Sequence, residues 1–485
     1  MHQEMCSTLR SASPRLWPWC LSEQKKVLGF TSPAEKTEEQ IHSSFNELMS
    51  ELKKPGAPYV LNLANRLYGE QSYQFVEKFL NDAKRYYEAG LEELVKMEPL
   101  SAANTQFSLN LFKKISEGNK SGNVFYSPIS ISSALAMVSL GAKENTAAQM
   151  LKVLGFNNPA QPESGQKTEE QIHSSFNKLM SELNKPGAPY VLSLANRLYG
   201  EQSYQFVEKF LNDAKRYYEA GLEEVDFKMK SDAACVDINK WVEKNTQGKI
   251  KDLLPQRSID EMTRLVLVNA IYFIGNWEEK FPKEDTRDGQ FELNKTQTKP
   301  VKMMHQTEEF PLALIPEMDS QVLELPYVGK NLSMLIILPN EIQDETTGLQ
   351  KLEKALTYEK LMEWTKPSMM QKQEVRVSLP RFKMEETYDM KDLLISMGME
   401  DVFNKQKVNL SGMSPNNNLV VTKVIHKAFV EVNEEGTEAA AATSIESILM
   451  SLRFSPVFNA DHPFLFFIRH NPTKSILFYG RFCSP

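Results

Sequence analysis

Apolar positions recur along this chain at two spacings. Phe107, Leu111 and Ile115, with Leu109 and Phe112 beside them, return at the interval of a helical face. Ser127-Pro128 leads into a mostly apolar helix from Ile129 to Leu140, closed by Gly141. Ile172, Phe176, Leu179, Met180 and Leu183 predict another helix. Tyr190, Val191, Leu192 and Leu194 then predict a strand, and Phe206, Val207, Phe210, Leu211 and Ala214 one face of a further helix. Ile238, Trp241 and Val242 mark a helix that runs out at Asn245-Thr246-Gln247-Gly248. Leu265 to Phe273 is an almost unbroken apolar run with several β-branched side chains, the pattern of a strand buried on both faces. Phe464 to Ile468 and Ile476 to Tyr479 have the same character. Helices and strands follow one another without a βαβ rhythm. The pattern therefore predicts an α+β fold, a large central β-sheet with helices around it.

A near-perfect internal repeat interrupts this order. Lys36 to Glu93 matches Lys167 to Glu224 at an offset of 131 residues, and only three of the 58 positions differ. These are Glu47 against Lys178, Lys53 against Asn184, and Asn62 against Ser193. Two copies separated by unrelated sequence are not a solenoid. The second copy continues into further apolar elements, whereas the first gives way after Leu94 and Val95 to Met97-Glu98-Pro99-Leu100. Residues 1–96 are therefore expected to be an extra partial duplicate of the 167–224 region, poorly ordered or the product of a gene-model error, with 97–485 as the domain proper. A regulatory N-terminal domain is the competing reading. It is disfavoured because so small a fragment rarely stands without its partner strands.

Composition narrows the possible activities. The 485 residues are 41% hydrophobic and 25% charged, the profile of a globular protein with a sizeable core. A formal net charge of −7 provides no global basic field, so nucleic acid is not an expected partner. No run has the length of a membrane-spanning helix, and the residues around Trp17, Cys20 and Leu21 lack the continuous apolar stretch of a cleavable signal. A cytoplasmic location is expected, with unconventional release left open. Cys6, Cys20, Cys235 and Cys483 are scattered, form no CxxC pair, and read as reduced thiols. No GxSxG, GxxxxGK[ST], HExxH or GxGxxG motif is present, and the seven histidines are dispersed. Neither an enzyme nor a metal or cofactor is expected.

One segment does not read as a stable element. Glu434-Glu435-Gly436-Thr437-Glu438 is followed by Ala439, Ala440, Ala441, Ala442 and Thr443, and then by Ser444 to Ser451. It lies in a long connection between the strand-like runs Ala428 to Val432 and Phe464 to Ile468, and long connections are usually functional or disordered. The residues alone leave two readings. One is an alanine-rich helix or linker. The other is a loop able to become a strand, hinged at Gly436, with Thr437, Ala439, Ala441, Thr443 and Ile445 sharing one face.

This segment resembles the hinge and reactive loop of the serpin family, most closely of its intracellular, ovalbumin-related branch (clade B). The resemblance covers Met97 to Pro485. It rests also on Asn245-Thr246-Gln247-Gly248-Lys249-Ile250, on Val268-Asn269 with Gly275-Asn276-Trp277, and on the stretch Phe458 to Ile468 (FNADHPFLFFI). The resemblance implies the serpin fold, with further sheets beside the large mixed one and an exposed reactive-centre loop. It also implies a suicide substrate of serine proteases that traps its target covalently as the cut loop inserts into the sheet. Family spacing from Gly436 places the scissile bond at Met450–Ser451. The methionine suits elastase-like and chymotrypsin-like pockets rather than a trypsin pocket.

Other roles carry over in the same way. The hinge would comprise Glu434, Gly436, Thr437, Glu438, Ala439, Ala440, Ala441, Ala442 and Thr443. Ser127, Ser130, Asn269 and His426 would form the shutter under the main sheet. Trp277 would mark the top of the sheet, where insertion begins, and Arg381 would pair with Glu434. Ile274 departs from the lysine that relatives often carry there. The resemblance implies a monomer that works without a cofactor. The alternative it leaves is a non-inhibitory serpin with a storage, carrier or chaperone role, disfavoured by the small residues of the hinge.

Overall fold

In the computed structural model of this chain, the apolar run at Leu265 becomes a strand of 12 residues whose side chains alternate between two cores. Leu265, Leu267, Ile271 and Phe273 enter the main core, while Val266, Val268, Ala270 and Tyr272 enter a smaller one on the opposite face. That alternation explains why the run has almost no polar interruption, since neither face of this strand meets water. Asn269 breaks the run on the main-core side. The structure describes residues 66–70, 90–94, 98–156, 169–342, 344–415, 418–437 and 455–485.

The chain divides into two compact units, Met1–Lys96 and Met97–Pro485. In the first, β1 (Arg66–Glu70) and β2 (Gly90–Leu94) pair in parallel, with Leu67 opposite Leu91.

The second unit begins with α1 (Glu98–Gly118), β3 (Val124–Tyr126), α2 (Pro128–Ser139) and α3 (Glu144–Val153). The stretch that repeats the first unit's sequence forms α4 (Glu169–Leu183), β4 (Tyr190–Glu201), α5 (Glu208–Tyr218) and β5 (Leu222–Val225). There Leu198 lies opposite Leu222, the same parallel register that β1 and β2 adopt. Next come α6 (Phe227–Asn245), β6 (Leu265–Asn276), β7 (Arg287–Asn294), β8 (Gln297–Ile315), β9 (Ser320–Pro326) and β10 (Leu332–Pro339). They are followed by α7 (Gln350–Ala355), α8 (Tyr358–Trp364), β11 (Gln371–Pro380), β12 (Phe382–Asp389) and α9 (Lys391–Ser396). The unit closes with β13 (Val421–Asn433), β14 (Gly436–Thr437), β15 (Val457–Asn459), β16 (Phe464–His470) and β17 (Ser475–Phe482).

Among the described residues the second unit holds two sheets. One runs β15-β11-β8-β9-β10-β16-β17-β3, with β7 on β8. The other runs β12-β13-β14-β6-β4-β5, with β13 also pairing directly with β6. Helices together with strands of both orientations make this an α+β architecture. All residues of α2 are buried, so it lies inside the molecule rather than on it. The helix starts where the sequence signals it. Ser127 accepts a hydrogen bond from the Ser130 N–H, and Pro128 occupies the first turn, where a missing N–H costs nothing. On the far face of the sheet, α6 and the segment after it place Ile238, Val242, Ile250, Leu253 and Leu254 over Val266, Val268, Ile425 and Phe429.

Candidate functional site

Two neighbouring strands of the six-stranded sheet run in the same direction. Strand β13 pairs with β6 in parallel from Val421 opposite Leu265 up to Phe429 opposite Tyr272. Above that point they part. Gly436 and Thr437 occupy the gap, antiparallel to both neighbours: Thr437 faces Val432 on one side and Gly275 on the other. The chain leaves β13, turns at Glu434 and Glu435, and comes back as the two-residue strand β14.

Close packing makes this return specific to glycine. Gly436 has a φ of +144°, and a Cβ there would stand 2.1 Å from the Gly275 carbonyl oxygen. Thr437 is fully buried, and its hydroxyl meets the Tyr327 hydroxyl at 2.8 Å. Tyr327 stacks on Trp277, with ring centroids 4.6 Å apart. Trp277 Nε1 donates to the Asn433 carbonyl at 3.0 Å, and its backbone N–H donates to the Glu435 carbonyl at 2.9 Å. The indole therefore braces the turn from which the two inserted residues emerge.

The two carboxylates of the turn face different partners. Glu434 Oε1 accepts from the Thr286 hydroxyl at 2.8 Å and lies 3.8 Å from Arg381 Nη1. The hydroxyl is thus the closer partner, and the guanidinium, half-exposed, adds a long ion pair. Glu435 is bound more tightly, with Lys280 and Lys283 each 2.8 Å from one of its oxygens. Those two ammonium groups hold its carboxyl below the usual carboxylate range.

Lower in the same seam lies a buried polar cluster. His426 on β13 is the register partner of Asn269 on β6, which is in turn the partner of Asn196 on β4. The Ser127 N–H donates to His426 Nε2 at 3.1 Å, so the ring proton sits on Nδ1 and is donated to Asn269 Oδ1. Asn269 Nδ2 donates to Ser130 Oγ at 2.5 Å and to Asn196 Oδ1. Ser127 Oγ donates to the Leu477 carbonyl at 2.6 Å. Burial pushes the His426 pKa down to about 3, and the ring is neutral. Three strands and the start of α2 are thus joined by side chains at the place where β13 and β6 are still closed.

Ser127, Ser130, Asn269 and His426 are therefore in one network, and Trp277, Arg381, Glu434, Gly436 and Thr437 are gathered around the slot above it. Glu438, Ala439, Ala440, Ala441, Ala442, Thr443, Met450 and Ser451 lie outside the described residues. Ile274, half-buried near the end of β6 opposite Val191, packs against the smaller core, where an aliphatic side chain is well suited. Sequence reasoning missed Asn196, Thr286, Tyr327 and the two lysines. For Asn196 the signal was available: an amide set among apolar residues of a half-buried strand, repeated as Asn65 in the first copy. Cys235 and Cys483 are free, buried thiols, and burial pushes Cys483 up to about 12, far from a reactive thiolate. Cys6 and Cys20 lie outside the described residues.

Comparison with known proteins gives a consistent picture. A family model described as "Serpin (serine protease inhibitor)" matches residues 20–99 and 102–485. Leukocyte elastase inhibitor of Equus caballus is 55% identical over 389 residues, covering 80% of this chain and 100% of that protein. The same-named protein of Homo sapiens is 53% identical over the same shares. Among solved structures, uncleaved ovalbumin superposes with a TM-score of 0.72 at 38% identity, over 80% of this chain and 100% of its own. A cleaved, loop-inserted ovalbumin mutant gives a TM-score of 0.70 at 38% identity, again over 80% and 100%.

Proposed function

The chain belongs to the serpin (serine protease inhibitor) family, in its ovalbumin-related branch, and from that premise we propose that it is a single-use trap for serine proteases, cut between Met450 and Ser451. The observation that carries this reading is the slot between β6 and β13, already entered by Gly436 and Thr437. The residues after Thr437 are of the kind that can follow it. Ala439, Ala440, Ala441, Ala442 and Thr443 have no bulk or charge to keep a strand out of a tight gap.

The chemistry is the protease's own. Its serine attacks the Met450 carbonyl carbon, its histidine takes the serine proton, and Ser451 leaves as a free amine. The Met450 acyl group stays on the serine as an ester. The freed loop end then enters the slot as a strand and carries the ester and the protease with it. Trapping succeeds when insertion outruns hydrolysis. The chain is thus consumed as a substrate and is not a catalyst. It works as a monomer, without a cofactor, in the cytoplasm. Residues 97–485 are the working domain, and 1–96 are a partial duplicate outside it.

An unbranched thioether at Met450 fits the apolar pockets of elastase-like and chymotrypsin-like proteases. The names of the leukocyte elastase inhibitors point the same way. The test mixes the full chain with neutrophil elastase and with chymotrypsin. Denaturing electrophoresis is expected to show an SDS-stable complex, with the released fragment beginning at Ser451 by mass spectrometry. Cleavage without a complex would instead support the non-inhibitory alternative. Met450→Arg is expected to move inhibition from elastase to trypsin by at least about a hundredfold, because a cation suits only the trypsin pocket.

A further inference from the structure

Besides its backbone bonds, the slot's first turn is tied down by a charge arrangement that neither rim could make alone. Glu435 immediately precedes Gly436, and its side chain is 8% exposed. A carboxylate so far out of water is costly unless each oxygen has a partner. Here Lys280 reaches Oε2 and Lys283 reaches Oε1, both at 2.8 Å. The two lysines come from the segment that continues β6, and Glu435 from the segment that continues β13. Backbone bonds hold the two segments in register. The Trp277 N–H donates to the Glu435 carbonyl at 2.9 Å, and the Phe281 N–H donates to the Glu434 carbonyl at 3.0 Å. Side-chain tethers on β14 itself are few. Gly436 has none, and Thr437 makes a single hydroxyl contact with Tyr327.

Resting on the inhibitory reading above, we propose that Lys280, Lys283 and Glu435 form an ionic clasp that keeps Gly436 and Thr437 seated between β6 and β13. Insertion then continues from a loaded slot and does not have to begin from a closed sheet. These are positioning residues, since none of them touches the protease or the scissile bond. The clasp makes two demands of opposite sign. Releasing it frees the slot for a competing strand, and it also delays the chain's own insertion after cleavage.

The experiment uses the full chain, Glu435→Gln, the double variant Lys280→Ala with Lys283→Ala, and the conservative pair Lys280→Arg with Lys283→Arg. The first readout is the rate at which a synthetic peptide with the sequence of residues 437–449 anneals to the intact protein, followed on native gels. The second is the number of inhibitor molecules consumed per trapped elastase, measured beside the association rate. Loss of a pair at a largely buried carboxylate is expected to speed annealing about fivefold and to raise consumption at least about twofold. Association is expected to stay within about twofold, because docking precedes insertion. The arginine pair is expected to behave as the parent. Annealing rates unchanged in both the Gln and the double-alanine variants would overturn the clasp. The lysines are partly exposed, so their removal leaves the fold intact should Glu435→Gln not fold. If elastase cuts the parent without forming a complex, the inhibitory reading falls. Peptide annealing involves no protease and still decides the clasp.

Discussion

His426 is kept neutral by its partners as well as by its burial. Its Nε2 must accept from Ser127, so a second proton there would set two N–H groups against each other. The consequence for stability has a definite sign. The folded pKa, about 3, lies below the ordinary value of 6.5. In acid the unfolded chain therefore takes up a proton that the folded chain refuses. The contribution is complete above about pH 6.5 and is lost as pH falls from there toward 3. The loss on going from neutral pH to pH 5 is about 2 kcal/mol. The urea midpoint of the parent is expected to drop over that interval, and His426→Gln is expected to flatten the dependence. An unaltered slope in His426→Gln would assign it to other groups. At Gly436 the expectation is steric. Gly436→Ala pushes a methyl group into the Gly275 carbonyl and is expected to cost more than about 1–3 kcal/mol, read as a lowered unfolding midpoint. The backbone freedom needed at Gly436 was legible in the sequence, and so was Ser127 with Pro128 as a helix start, because both act through their own backbone. Tyr327 and Lys280 were not, because what they touch is brought to them by the strand order, which no local pattern encodes.

The seam between β6 and β13 is closed by a parallel ladder and a polar cluster. Between the slot and the His426–Asn269 pair lie the pairs Lys427–Ala270, Ala428–Ile271 and Phe429–Tyr272. A strand extended from Thr437 must separate these before it reaches the histidine. Asn269→Ala removes the acceptor of His426 and the link to Asn196 and Ser130. It is expected to destabilise the fold by about 1–3 kcal/mol for each buried group left unpaired, and to speed annealing of a loop peptide. A slower annealing rate would mean that the cluster does not hold the seam. Thr437→Arg places a long cation where the side chain is fully buried. Cleavage at Met450 with no SDS-stable complex is the expected result, and full trapping by this variant would contradict insertion through the slot. The strand at Leu265 was legible because both of its faces are apolar. That β13 would be its parallel neighbour was not, because pairing between strands so far apart in sequence leaves no mark in the periodicity of either.

At the scale of the molecule, the duplicated segment is the feature without an obvious place. Of the three positions at which the copies differ, Lys178 and Asn184 are exposed and Ser193 is half-buried in the second unit. Every side chain that the second copy buries there has an identical counterpart in the first. The proposed division makes 97–485 sufficient on its own. A Met97–Pro485 chain is expected to form the elastase complex with the stoichiometry of the full chain and to unfold at the same urea midpoint. Loss of folding on truncation would assign residues 1–96 a structural role instead. The repeat itself was plain in the sequence, and the shared register of β1–β2 and β4–β5 follows from it.

Gly436 and Thr437 are antiparallel to both of their neighbours, whereas those neighbours are parallel to each other. Each residue that follows them into the seam therefore exchanges one parallel contact for two antiparallel ones. The gain rises with every step, and withdrawal means surrendering two ladders at once. A device of that kind has no turnover. A cell that relies on it holds a finite stock of shots, and its protection is limited by how many molecules stand ready rather than by how quickly any one of them works.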